Sequence, residues 1–215
     1  MEQENQKKMK DGIKALAAII LFTFINIFIP FLSILVFFLW PLPVVFMFIK
    51  YGMNDTIKVI VIAALLNGFL INPFMGLVTV IGIGFIGFVI GGCLKEELKP
   101  FITILCSIGV VLISQTIILT ISHFILGFNF ETFTGEISRL IQETPELSQY
   151  QTLVKYQIQM IKEVYPALML ISSIFTGSVH YYISLAYLKR RGFNFEVFLP
   201  LRLWNFPRWF ISLGV

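Results

Sequence analysis

The sequence predicts an all-α polytopic membrane protein, a bundle of six transmembrane helices, and two observations support this prediction. The first is composition: of 215 residues, 57% are hydrophobic and 13% are charged, and the mean hydropathy is +0.87. Soluble globular chains carry about a quarter charged residues. The second is clustering, because no Asp, Glu, Lys or Arg occurs in 15–49, 59–94, 101–130 or 164–188. Each stretch exceeds the roughly 18 residues of a membrane-spanning helix. This pattern excludes a soluble enzyme, a secreted disulfide scaffold and a disordered chain.

The first two uncharged stretches are too long to cross the membrane once each. A helix of about 35 residues rises about 52 Å, whereas the hydrocarbon core is about 30 Å thick. Pro30 and Pro73 lie near the middle of these stretches, and proline removes a backbone donor and disfavours helix in the residue before it. Trp40-Pro41-Leu42-Pro43 further predicts a kink or break inside the second span. Dividing at Pro30 and Pro73 gives six spans, at 13–29, 31–49, 57–71, 74–94, 101–127 and 164–188.

The distribution of basic residues gives the orientation. With a cytoplasmic amino terminus, thirteen of the sixteen basic residues fall in inner segments, and the outer segments hold only Arg139, Lys155 and Lys162. This asymmetry follows the positive-inside rule. The net charge of +4 therefore indicates topology rather than nucleic-acid binding, and we expect contact with membrane lipid. We predict a multi-pass protein of the bacterial plasma membrane.

The predicted spans divide the chain into three parts. A basic cytoplasmic segment covers 1–12, the transmembrane domain covers 13–188, and a cytoplasmic or interfacial tail covers 189–215. The tail mixes Arg with Trp, and its apolar run at 210–215 is too short to cross a bilayer. We expect either an interfacial chain end or a truncated seventh span.

One long outer loop, 128–164, separates the fifth and sixth spans. Thr144-Pro145-Glu146 is typical of a helix start, with a capping hydroxyl, a proline and an acidic side chain. The apolar residues that follow recur every three or four positions, as on one helix face. We predict an amphipathic helix here, acting either as a connector or as a lid, with a stripe of Leu147, Tyr150, Val154, Ile158 and Ile161.

The fourth span contains a run of glycines. Gly82-x-Gly84-x-x-Gly87 spells a dinucleotide-binding fingerprint, but that motif requires a preceding strand and a soluble helix. Inside an uncharged span, Gly84, Gly87 and Gly91 instead form a stripe of small residues that allows close helix packing. The partner is either another span of this chain or another subunit.

Polar side chains within the spans concentrate in the predicted outer half. Each is costly in hydrocarbon unless it is paired or functional. Their shared position predicts a small-solute pocket that opens outward and is lined by the third, fifth and sixth spans. The predicted ligand-binding residues are Asn67, Asn72, Gln115, Thr116, Thr120, His123, Tyr165 and Ser172.

Templates for catalysis and for metal binding are not matched. Cys93 and Cys106 have neither metal-ligand nor redox spacing. A pairing of Ser172 or Ser173 with His123 for intramembrane hydrolysis has no motif behind it. We therefore predict no enzyme, no metal site and no cofactor.

The chain resembles the YybS family of bacterial membrane proteins. The resemblance rests on the Lys14-Ala15-Leu16-Ala17 start, the Ile29-Pro30 end of the first span, Pro-Leu-Pro-Val-Val-Phe at 41–46, Lys50-Tyr51-Gly52, the glycine-rich fourth span and Pro-Arg-Trp at 207–209. Members of that family usually continue through further helices, so the resemblance implies an early-terminated chain.

In outline the YybS family is similar to the substrate-binding S-components of energy-coupling-factor transporters. That similarity implies capture of a vitamin-like solute in the outer half, with reorientation driven by a separate ATPase module. S-components often dock on their partner through alanines four apart in the first helix. Ala15, Ala17 and Ala18 do not have that spacing.

Two functions are thus predicted from different classes. The first is S-component-like binding or transport of a small solute. The alternative is a non-enzymatic membrane scaffold that acts through protein–protein contacts, for which the glycine stripe is the motivating feature.

Overall fold

The computed structural model describes residues 2–127, 130–143 and 151–196, and every regular element within them is helical. A short π-helical stretch, here called the π segment, interrupts the fourth span. In chain order the elements are α1 (Glu2–Phe28), α2 (Pro30–Leu39), α3 (Leu42–Tyr51), α4 (Met53–Leu70), α5 (Pro73–Val78), the π segment (Thr79–Gly84), α6 (Phe85–Lys95), α7 (Pro100–Leu126), α8 (Phe130–Glu143) and α9 (Gln151–Arg190).

Six stretches of the described chain are long and apolar enough to cross a membrane, and this confirms the predicted number of spans. The second span combines α2 and α3, and the fourth combines α5, the π segment and α6. The six are Glu2–Phe28, Pro30–Tyr51, Met53–Leu70, Pro73–Lys95, Pro100–Ile125 and Glu163–Arg190.

Prolines begin or interrupt the helices where the sequence predicts. Pro30 is the first residue of α2, and Pro73 is the first residue of α5. The Asn72 side chain caps α5 by accepting a hydrogen bond from the Met75 amide at 2.9 Å. The predicted break in the second span lies at Trp40-Pro41, between α2 and α3. Proline lacks a backbone N–H, but the first N–H groups of a helix have no partner within it. Proline is therefore tolerated at a helix start, which explains these positions.

Two element boundaries differ from the predicted ones. The third span begins at Met53 rather than 57, because Gly52 at φ +83° allows α3 and α4 to join through one residue. The sixth span belongs to α9, whose 40 residues rise about 60 Å, twice the hydrocarbon thickness. Residues 154–161 are therefore part of this continuous helix rather than a separate one, and Pro166 lies inside it.

The outer loop also contains a strongly amphipathic helix, α8, which was not predicted from the sequence. The helix contacts α9, and its Ile141 side chain is buried. The predicted helix start at 144–146 lies outside the described residues, as does the tail from 197 onward. The function of the predicted amphipathic helix, as a connector or as a lid, stays a prediction.

The second span lies at the centre of the bundle and contributes to two cores. On one side Val44 and Met47 pack with Ile19, Ala63 and Ile83 of the first, third and fourth spans. On the other side Val45 packs against residues of the fourth, fifth and sixth spans, including Ile90, Val111 and Tyr181. Because α3 is enclosed by both groups, it is the most buried part of the membrane domain.

Ion pairs join three spans at the end of the bundle predicted to be cytoplasmic, hereafter the inner end. Asp11 of α1 accepts hydrogen bonds from Lys50 at 2.5 Å and from the Tyr51 hydroxyl at 2.7 Å. Asp55 of α4 pairs with Lys8 and with Lys58. These two aspartates thus pair with basic side chains at the inner end of the first three spans.

The orientation can be tested by cysteine labelling. In a chain with Cys93→Ser and Cys106→Ser, we expect a membrane-impermeant maleimide to label Arg139→Cys in intact cells. Lys99→Cys, in the loop between the fourth and fifth spans, should be labelled only after permeabilisation. Labelling of both variants in intact cells would contradict the predicted orientation.

Candidate functional site

Asn67 is the centre of a buried hydrogen-bond network in the outer half of the bundle. Its side chain is fully buried, and its Nδ2 donates to Thr23 Oγ1 at 3.1 Å and to Thr79 Oγ1 at 2.9 Å. Each threonine hydroxyl donates in turn to the carbonyl four residues before it, that of Ile19 or Met75. One amide group therefore joins the first, third and fourth spans.

Two polar atoms of this region have no hydrogen-bond partner within the described part of the chain. They are the acceptor Oδ1 of Asn67 and the donor Nδ2 of Asn26, and both atoms are buried. Asn26 lies three residues after Thr23, one turn further along the same side of α1. A buried group without a partner costs about 1–3 kcal/mol. The region therefore offers one donor and one acceptor to a bound molecule.

The π segment borders this network. Thr79, the first residue of the π segment, accepts a hydrogen bond from Asn67. The carbonyl of Ile81 accepts a hydrogen bond from Ser114 Oγ of α7 at 2.8 Å. π-helical turns are rare and often occur at functional sites. Here the turn lies between the first, third and fifth spans and connects the Asn67 network to α7.

Gln115 of α7 follows Ser114 and faces two serines of α9. Its Oε1 lies 3.0 Å from Ser173 Oγ and 3.4 Å from Ser172 Oγ. Both hydroxyls also lie within 2.9 Å of the Met169 carbonyl. A hydroxyl has one proton, so each serine serves either the glutamine or the carbonyl at a given moment. This second group retains spare acceptor capacity.

The predicted site residues thus form two groups rather than one continuous pocket. Asn67 lies with the first and fourth spans, whereas Gln115 and Ser172 meet between the fifth and sixth spans. The third span packs on the first, second and fourth spans, which explains the separation. Both groups consist of amides and hydroxyls and contain no charged side chain.

The remaining predicted residues lie apart from these groups. Asn72 is exposed and caps α5. Thr116 and Thr120 are exposed and donate to carbonyls of their own helix at 2.8 Å. His123 is exposed and packs against the ring of Phe124, and Tyr165 is also exposed. A ligand-binding role for these five residues stays a prediction.

A third polar group, in the inner half, was not among the predicted site residues. His180 is buried, and its Nε2 donates to the carbonyl of Phe37 at 3.3 Å. That carbonyl precedes Pro41 by four residues, so proline leaves it without its regular helical donor. The buried polar atoms His180 Nδ1, Ser184 Oγ and Trp40 Nε1 have no partner among the described residues. The available signals in the sequence were His180 within an uncharged span and the proline break at Pro41 in the second span.

The glycine stripe of the fourth span lies against other spans of the same chain. A methyl group added at any of the three positions would meet a neighbouring side chain of α3 or α4 at 2.6–2.7 Å. The predicted packing residues therefore mark the closest approaches of the fourth span. The pairs are Gly84 with Ile60, Gly87 with Val44 and Gly91 with Phe48.

Sequence reasoning missed an equally close contact at Gly177 of α9, where the neighbouring atoms belong to the backbone. A methyl group there would lie 2.7 Å from the Cα and backbone nitrogen of Ile108 on α7. The Gly177 carbonyl also accepts a hydrogen bond from Ser107 Oγ at 2.7 Å. Ser173-x-x-x-Gly177 has the small-residue spacing of closely packed membrane helices, and that spacing was the available signal.

Comparison with known proteins is consistent with a membrane-embedded bundle. A family model described as predicted membrane protein (DUF2232) matches residues 15–215. The chain belongs to this family. The DUF2232 match covers all six spans of the present protein except the first residues of α1. No curated protein and no solved structure matches the chain. This DUF2232 protein is therefore a multi-pass integral membrane protein.

Proposed function

We propose that this DUF2232 protein binds a small, uncharged polar solute in the outer half of its bundle, in the manner of an S-component. The observation that carries the proposal is the fully buried Asn67, whose two donor bonds are made while its acceptor has no partner in the described chain. The donor of Asn26, one turn beyond Thr23, supplies the complementary group. A solute with one acceptor and one donor would satisfy both atoms.

The described residues around this site carry no charged side chain, and this favours an uncharged solute. The groups around the π segment, within the described residues, are amides, hydroxyls and backbone carbonyls. A charged solute would lose its hydration without meeting an opposite charge, which is costly in a membrane interior. An uncharged molecule with hydroxyl or amide groups exchanges its water for these partners at little cost.

Solute access requires a second, more open conformation. Thr23, Asn67 and Thr79 are at most 1% exposed, so the described state is closed around the network. The π segment is the element best suited to move, because its turn is already irregular and contacts both the Asn67 network and α7, the helix that carries Gln115. An S-component-like cycle also implies an energising ATPase module, and in a bacterial plasma membrane that module would act from the inner side. The proposed role involves no chemical step.

The scaffold alternative has weaker support. Its motivating feature was the glycine stripe, and those glycines contact α3 and α4 of the same chain. The stripe is therefore not available as a surface for another subunit.

Asn26→Ala offers a test that separates solute binding from folding. Nδ2 of Asn26 makes no bond to the described chain, so its removal should leave the melting temperature of the purified protein unchanged or raised. We expect thermal-shift screening of uncharged polar metabolites to give a stabilising solute for the parent protein, with at least tenfold weaker binding to Asn26→Ala. Native mass spectrometry should detect the same solute on the parent protein.

Asn54→Ala is the matched control, since Asn54 is an exposed asparagine near the inner end of α4. It should bind the solute as the parent does. Screening without any stabilising solute, or equal affinity of the parent and Asn26→Ala, would count against the proposal.

A further inference from the structure

A groove of about 420 Å³ lies at the inner ends of the first, second and sixth spans. The helices α1 and α9 both pack on the second span, and the groove separates them. The walls of the groove within the spans are apolar, and its rim at the inner end of the bundle carries charged side chains. The apolar lining residues include Ala15, Ala18, Phe22, Leu39, Leu42 and Phe46.

The depth of the groove corresponds to one leaflet of a bilayer. Asp11, at the rim, and Phe22, at the apolar end, both line it. The separation of eleven positions corresponds to a rise of about 16 Å along α1, close to half of the roughly 30 Å hydrocarbon core. Ala15 and Ala18 lie three residues apart on one helix face, and their short side chains keep the groove open.

The rim of the groove is positive. Asp11 is compensated by Lys50 and by the Tyr51 hydroxyl. Lys14 is exposed, and the guanidinium of Arg191 lies over the rings of Phe46 and Tyr187 at 5.7 and 5.3 Å. Neither basic residue forms an ion pair with a carboxylate in the described part of the chain. The nearby charge of Lys14 does interact with Asp11, but Asp11 is already paired with Lys50. Two uncompensated cations therefore stand where the apolar groove meets the inner surface.

We propose that this groove binds an anionic phospholipid of the inner leaflet. The phosphate lies at the rim with Lys14 and Arg191, and one acyl chain follows Ala15, Ala18 and Phe22 into the membrane. Basic pockets between helices on the cytoplasmic side are suited to anionic headgroups. A free phosphate ion would leave the apolar walls unused, and a zwitterionic headgroup brings its own cation to the positive rim. The inference does not depend on the solute proposed above.

The test compares lipids on the delipidated, detergent-purified protein. We expect phosphatidylglycerol to raise the melting temperature and to be retained in native mass spectra, whereas phosphatidylcholine and inorganic phosphate should do neither. Each neutralised cation should weaken phosphatidylglycerol binding about fivefold, and Lys14→Gln with Arg191→Gln about 25-fold. The melting temperature without added lipid serves as the check that the variant is folded.

Lys95→Gln with Lys99→Gln is the matched control, because it removes the same charge from the inner loop outside the groove. It should change binding less than twofold. Equal losses in the two double variants would overturn the proposal in favour of general attraction to the basic surface. Equal stabilisation by inorganic phosphate and phosphatidylglycerol would overturn a lipid as the occupant.

A second variant, Ala18→Phe, fills the apolar part of the groove and leaves every charge in place. Ala18 lines the groove and is half-buried. We expect at least a fivefold loss of phosphatidylglycerol binding. Undiminished binding to this variant would overturn the assignment of the groove to an acyl chain.

Discussion

Gly177→Ala is expected to destabilise the protein by about 3 kcal/mol, at the upper end of the range for overpacked interiors. The added methyl group would lie 2.7 Å from the backbone of Ile108 and 2.9 Å from the carbonyl carbon of Ser107. Backbone atoms within a helix cannot rotate away as a flexible side chain can. The fifth and sixth spans must therefore separate, and the hydrogen bond from Ser107 to the Gly177 carbonyl is weakened.

Gly109→Ala provides the control for this prediction. Gly109 lies on α7, two residues from Ser107, and a methyl group there meets nothing within 4 Å. Because alanine favours helix over glycine, this variant should be as stable as the parent or slightly more stable. Denaturation of the purified variants in detergent, followed by circular dichroism, measures the difference. Equal stability of the two glycine variants would show that the close contact between α7 and α9 is incorrect.

Asn67→Asp is expected to lower the free energy of unfolding by about 4 kcal/mol. The substitution removes both donor bonds, to Thr23 and Thr79, and introduces an acidic group into the membrane interior. An Asp at the centre of a membrane helix costs about 2.5–3.5 kcal/mol. The loss of interhelical hydrogen bonds adds a smaller amount, about 0.6 kcal/mol for each on average.

Asn72→Asp makes the same chemical change in an exposed place and serves as the control. Asn72 caps α5 through its Oδ1, and aspartate caps helices as well as asparagine does. We therefore expect Asn72→Asp to keep the stability of the parent. If both aspartate variants unfold at the same denaturant concentration, the buried Asn67 network described above is wrong.

Much of the fold could be predicted from single residues and their neighbours in the chain. Hydrocarbon does not tolerate unpaired charges, so the uncharged stretches marked the spans. Proline has no backbone N–H, so Pro30, Pro41 and Pro73 marked helix starts and a break. The extent of α9 was harder to predict, because the polar stretch before 164 was predicted to be an outer loop with a separate amphipathic helix, whereas the helix runs without a break from Gln151 to Arg190.

The candidate site was less predictable because its members come from distant parts of the chain. Asn67 meets Thr23 across 44 residues, and Ser173 meets Gln115 across 58. The outer position of these side chains followed from the predicted topology. Their division into two groups beside the π segment did not, because it depends on which spans touch.

The sequence alone determined that this chain is a six-span membrane protein whose basic residues are concentrated at one end of the spans. The tertiary structure decided which helix faces meet, including the contact of Gly177 with α7 and the partners of Asn67. The physical reason is that lipid tails are as apolar as a protein core. In a soluble helix, hydrophobicity identifies the buried face, whereas in a membrane helix both faces are apolar. Only the packing of the spans therefore selects the polar and small residues that lie inside.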